Sequence, residues 1–168
     1  MIESNRKVAT IVKVVSVVTF PCYVLAFAKG TEVSNRINHI AVFVATIVYF
    51  LFGWLWYTIL FTNQWAQFVG KPTMATPPAS LLVESFLLGL ILSYATAIAL
   101  SRRPEDLSIA QGVSFAMFMG LAIYGSQTLN NALYEGRPIG LWLLNTGYVV
   151  IGFAIIGAIV GGWRQARA

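Results

Sequence analysis

Residues 40–61 carry no charged side chain over 22 consecutive positions. At about 1.5 Å of rise per residue, a helix of that length crosses a hydrocarbon core of about 30 Å. Trp54, Trp56 and Tyr57 sit in its second half and Trp65 follows it. Such aromatics, with one apolar face and one polar atom, favour the membrane–water boundary. Trp142 belongs to the same interfacial group.

The rest of the chain is consistent with lipid as its solvent. Of its 168 residues, 58% are hydrophobic and 10% charged, whereas a soluble domain carries about 25% charged residues. Mean hydropathy is +0.74. The expected fold is an all-α integral membrane bundle, with no second soluble domain. A net charge of +5 would point to nucleic acid in a soluble chain. Here the basic residues fall in short loops and tails, where topology and anionic headgroups account for them. Cys22 is the one cysteine and His39 the one histidine. No disulfide within the chain, CxxC motif, histidine-rich metal site or haem pair can be assembled from them. No metal and no cofactor is expected, and nucleic acid is not an expected partner.

Two segments follow from punctuation along the chain. Residues 1–36 form an N-terminal hydrophobic segment. Arg6, Lys7 and Lys13 precede an apolar run that ends in Ala26-Phe27-Ala28, the layout of a signal peptide. An uncleaved extra helix kinked near Pro21 is the preferred alternative. Residues 37–168 hold four spanning helices, expected over residues 38–61, 81–100, from a cap at Ser108 to about 133, and 141–163. Thr62 to Lys71 reads as a continuation or short interfacial helix. Gly70-Lys71-Pro72 and Gly136-Arg137-Pro138 act as stops. Across the four spans, Lys29, Arg36, Arg102, Arg103, Arg164 and Arg167 share one side, while Lys71 and Arg137 share the other. Six against two places both ends of the four-helix core in the cytoplasm. A fifth span starting in the cytoplasm would reverse that count.

Small residues at a spacing of four share one helix face and allow close backbone approach. Ser85, Gly89, Ser93 and Ala97 make one stripe. Gly112, Ala116 and Gly120 make another. Ala154, Ala158 and Gly162 lie beside a GxxxG pair, Gly157 and Gly161, in the last span. Gly53 is a further packing candidate in the first. An internal repeat is also visible at an offset of 66 residues. Ala66, Phe68, Gly70, Lys71 and Pro72 match Ala132, Tyr134, Gly136, Arg137 and Pro138. Gly53-x-x-x-Tyr57 matches Gly120-x-x-x-Tyr124, one residue out of step. Two spans separate the halves, so the repeat would be parallel, an arrangement found in transporters.

Polar side chains at membrane depth are the candidate binding residues, because burying them unpaired is costly. Glu84, Gln127, Asn130, Asn131, Asn145, Tyr57 and Tyr148 all fall in one half of the bilayer once neighbouring helices alternate in direction. The competing reading is solvation at helix ends by headgroups and water. His39, at the opposite boundary, reads as interfacial rather than as a ligand. No phosphate-binding glycine loop, HExxH, GxSxG or pair of buried carboxylates is present, so no catalytic residue is assigned.

The run Asn38-His39-Ile40-Ala41-Val42, leading into Phe52-Gly53-Trp54-Leu55-Trp56-Tyr57 and then Phe61, Trp65 and Gly70, resembles the bacterial family called domain of unknown function 1761. Leu144-Asn145-Thr146-Gly147-Tyr148 resembles that family's last helix. The resemblance covers about residues 38–163, with His39 where an aromatic is more usual and residues 1–36 as an addition. It implies a small four-helix protein of the bacterial inner membrane and no activity. Two functions are therefore carried forward. One is a bundle that binds or moves a small molecule or ion through the outer-half polar cluster. The other is a structural or accessory protein that binds lipid, another membrane protein or a second copy of itself.

Overall fold

The computed structural model describes residues 37–70, 77–102 and 108–163. The N-terminal segment and the basic residues Lys71, Arg103, Arg164 and Arg167 lie outside the described residues. The described chain is helical throughout, and four of its helical runs are long and apolar enough to cross a membrane: His39–Leu60, Ala79–Ser101, Ile109–Glu135 and Ile139–Gly162. These are spans 1 to 4. Span 1 comprises α1 (His39–Trp54) and a π-helical turn (Leu55–Leu60). A short helix α2 (Thr62–Val69) follows it. Span 2 is α3 (Ala79–Ser101). Span 3 comprises α4 (Ile109–Met119), a second π-helical turn (Gly120–Gly125) and α5 (Ser126–Glu135). Span 4 is α6 (Ile139–Gly162).

Spans 1 and 3 begin at side-chain caps, and α2 and α5 end at left-handed glycines. The Asn38 side chain accepts from the amides of Ile40 and Ala41 at 3.1 Å, taking up two of the orphan donors of a first turn. Its amide also donates to the Trp163 carbonyl at 3.2 Å, which ties the start of span 1 to the end of span 4. Ser108 and Gln111 form the expected cap as a reciprocal pair: Gln111 N–H donates to Ser108 Oγ at 3.3 Å, and Ser108 N–H to Gln111 Oε1 at 2.9 Å. Gly70 and Gly136 terminate α2 and α5 in the left-handed region, at φ +68° and +64°. That conformation has little steric cost only for glycine.

Span 4 is the hub. It packs on all three other spans, most extensively on span 3, and span 1 packs on span 2. Spans 2 and 3 barely touch each other. Small residues let the backbones of spans 3 and 4 approach each other closely. A Cβ on Gly157 would lie 2.7 Å from the Ala116 Cβ and 3.0 Å from the Gly112 carbonyl oxygen. The expected stripes of spans 2 and 3 face inward at Gly89, Ser93, Ala97, Gly112, Ala116 and Gly120, all buried. Ser85 is exposed, and Gly161 is only half-buried, with the Gly112 Cα 4.0 Å from an added Cβ.

The second π-helical turn explains how span 3 keeps one face inward. Its buried small residues run Gly112, Ala116, Gly120, then Gly125 and Ala132. A regular helix would repeat near residue 124 rather than 125. The wider turn absorbs the extra residue and returns the stripe to span 4. The turns begin at Leu55 and Gly120, 65 residues apart, and a threonine-to-tyrosine-carbonyl bond accompanies each, five residues back in the first and four in the second. Thr62 donates to the Tyr57 carbonyl at 2.9 Å, and Thr128 to the Tyr124 carbonyl at 2.7 Å. Ala66 and Ala132 accept from the amides of the left-handed Gly70 and Gly136. Pro78 and Pro138 then stand at the N-caps of spans 2 and 4. The two halves thus share one order of elements.

Substitution at the span 3–span 4 contact separates packing from composition. Gly157→Leu should destabilise by about 1–3 kcal/mol through overpacking, read as a lower melting temperature in detergent. Gly161→Ala, four residues along the same helix, should leave that temperature nearly unchanged.

Candidate functional site

The end of the bundle that carries both π-helical turns also gathers its polar and aromatic groups. Tyr148 of span 4 stands at the centre. Its ring lies 5.2 Å from Tyr49 and 5.7 Å from Phe52 in stacked arrangements, and 5.1 Å from Tyr57 edge-on. Such aromatic pairs add about 0.5–1.5 kcal/mol beyond burial. Tyr57 donates from its hydroxyl to Asn145 Oδ1 at 3.0 Å, closing span 1 onto span 4. Gly53 makes room for this cluster, since a Cβ there would lie 2.8 Å from the Tyr148 hydroxyl oxygen. Gly152 does the same for the Tyr49 ring.

Of the candidate binding residues, Tyr57, Asn145 and Tyr148 converge. Glu84 is exposed and makes no hydrogen bond or ion pair with another described residue. Asn130 is exposed as well. Gln127 donates to Asn131 one turn along at 3.4 Å. Among the interfacial aromatics, Trp54 is 56% exposed and Trp65 half-buried. Trp56 packs on Phe52 and Phe61 at 5.4 and 4.5 Å, with its Nε1 buried and unpartnered among the described residues. It is therefore part of the aromatic cluster rather than an exposed anchor. Trp142 donates to the Gly125 carbonyl at 2.9 Å, a carbonyl of the second π-helical turn. His39 shares a hydrogen bond of 3.1 Å with the Tyr94 hydroxyl at the opposite end. No group of three or more His, Cys, Asp or Glu that could hold a metal occurs among the described residues.

A cleft of about 710 Å³ lies between spans 2 and 3. Its walls are Ser85, Gly89, Leu92, Ala95 and Ala99 on one side and Phe115, Met119, Ile123, Tyr124 and Thr128 on the other. Tyr49, Tyr148 and Phe153 also line it. From Ser85 to Ala99 it extends about 21 Å along the helix axis. The lining is almost all carbon, and the polar residues cluster at the Ser85–Gln127 end. Thr96 lies lower in the cleft, with its hydroxyl already committed to the Leu92 carbonyl at 2.9 Å. A second cavity of about 150 Å³ adjoins the polar end, lined by Asn131, Glu135, Arg137, Trp142 and Asn145. Tyr124 and Thr128 line both cavities.

The repeat relates this cleft to a closed interface elsewhere. Tyr57 and Asn145 join span 1 to span 4. The counterpart of Tyr57, Tyr124 of span 3, lines the open cleft facing span 2. Tyr124 and Thr128 were the residues that polarity alone passed over as candidates. The available signal was the match of Tyr57 with Tyr124, which the structure turns into two equivalent π-helical turns.

The fold and the site define an all-helical integral membrane bundle with four helices able to span a bilayer. The chain belongs to the family described as Protein of unknown function (DUF1761), whose model matches residues 40–161. No curated protein and no solved structure matches it.

The threonine bonds at the π-helical turns can be removed without changing side-chain shape. Thr62→Val and Thr128→Val should each lower stability by about 0.5–1.5 kcal/mol, measured by thermal unfolding in detergent. Glu84→Gln should leave the melting temperature unchanged.

Proposed function

We propose that this protein binds an apolar or amphiphilic small molecule in the cleft between spans 2 and 3, from within the bilayer. The observation that carries this reading is the cleft itself. Its volume of about 710 Å³ falls in the range of about 300–1,000 Å³ seen for small-molecule sites. Its carbon lining offers nothing to a bare ion, which would lose hydration without replacement. Tyr49, Tyr148 and Phe153 give it an aromatic back wall. Glu84 faces away from the shared polar residues and has no part in this reading. The distribution of basic residues supports an orientation with the polar end at the outer leaflet of the bacterial inner membrane and the C-terminus in the cytoplasm.

Photolabelling of the full-length chain in phosphatidylcholine nanodiscs with a diazirine-bearing long-chain alkane tests this function. Labels should concentrate on Leu92, Ala95 and Phe115, and Ala95→Trp or Ala99→Leu should remove most of them. Glu84→Gln should leave the pattern intact. Equal labelling of the cleft and of outward residues such as Ile91 and Phe118, 67% and 66% exposed, would overturn it.

A further inference from the structure

The geometry points to a specific occupant: a single-chain acyl ester with an uncharged head, its chain in the cleft and its ester and hydroxyl oxygens in the small cavity shared by Tyr124 and Thr128. This rests on the cleft being a binding site and goes on to name the ligand's chemistry.

Four observations converge on that class. The first is polarity along the cleft. Beyond Thr96, whose hydroxyl is taken, hydrogen-bonding groups gather only at the end where the two cavities share walls. An amphiphile with one polar terminus matches that gradient.

The second is the balance of donors. Asn145 Oδ1 accepts from Tyr57 and Asn131 Oδ1 from Gln127, while the N–H₂ group of neither amide donates to another described residue. The half-buried Tyr124 hydroxyl makes no hydrogen bond with another described residue. Three sets of donors around one small cavity call for an acceptor oxygen, and an ester carbonyl supplies one.

The third is charge. Glu135 and Arg137, the two ionisable residues at the cavity, form an ion pair with each other. The cavity therefore carries no net charge. A carboxylate or phosphate head would enter beside the Glu135 carboxylate, whereas a glycerol head brings no charge to that pair. The fourth is size. The cleft suits one small molecule, and its length of about 21 Å exceeds a single leaflet of about 15 Å. One extended chain with its head fits those dimensions.

The test is competition of 1-monooleoylglycerol against the photoactivatable alkane in the same nanodiscs. Monooleoylglycerol should suppress cleft labelling. Tyr124→Phe should raise the concentration needed by about 3- to 10-fold, the worth of one hydrogen bond, with alkane labelling itself unchanged. The inference is overturned, with the cleft reading intact, if labelling persists under monooleoylglycerol or if Tyr124→Phe competes like the parent. It is likewise overturned if oleate, phosphatidylglycerol or an isoprenoid quinone competes equally well. Absence of cleft labelling in the parent protein, or a cross-linked dimer that occupies the cleft, would overturn both.

Discussion

In hydrocarbon, helices gain nothing by leaving the solvent, so their association depends on how closely backbones approach. Here that approach is greatest where Gly157 of span 4 meets Gly112 and Ala116 of span 3. Everything else is arranged around this contact. It fixes span 4 as the hub, and span 1 then closes on the hub through Tyr49 lodged against Gly152 and Tyr57 bonded to Asn145. Span 2 follows by packing on spans 1 and 4, with Gly89 admitting the Tyr49 ring, whose Cδ1 would be 3.2 Å from an added Cβ. One aromatic ring thus sits between glycines of two different helices, and its removal would loosen three spans together.

The two π-helical turns show a repeat whose halves are used differently. In both, an extra residue widens the helix, and a threonine hydroxyl reaches back to a tyrosine carbonyl. In the first half the tyrosine hydroxyl finds Asn145 and the interface shuts. In the second, the Tyr124 hydroxyl makes no hydrogen bond to span 2, and the interface stays open. The cleft is therefore the open member of a pair of related interfaces, without the tyrosine bond that closes the other. π-Helical turns often mark functional sites because they redirect side chains that a regular helix would turn away.

The spans, their caps and their stops were legible in the sequence because each has a local cause. A charge-free run must be buried in lipid, Ser108 caps through Gln111, and Gly70 and Gly136 adopt a backbone that other residues avoid. The level of Tyr57, Asn145 and Tyr148 was legible too, from helix direction alone. Rotation about the helix axis was not. Glu84 lies at the same depth as the others, yet it faces outward, and polarity near a helix end fits either facing. The π-helical turns left only a faint mark, a step of five from Gly120 to Gly125 where four was expected. The cleft left none, because an interface that does not form has no motif, and Ala95 and Ala99 read like ordinary packing residues.

A cleft open to a bilayer is never empty, since lipid chains are the solvent. Occupancy by hydrocarbon alone therefore says little about selectivity, because every chain in the membrane competes for the same carbon walls at similar energy. Discrimination must come from the polar end. There the donors of Tyr124, Asn131 and Asn145 are displayed in a cavity of about 150 Å³ whose one ion pair is internally balanced. A ligand that satisfies those donors gains bonds that bulk chains cannot offer, while a charged head must break or crowd the Glu135–Arg137 pair. In the binding we propose, the apolar cleft would set where and in what posture a molecule lies, and the small polar cavity, beside the second π-helical turn and the Trp142 bond to Gly125, would set which molecule it is.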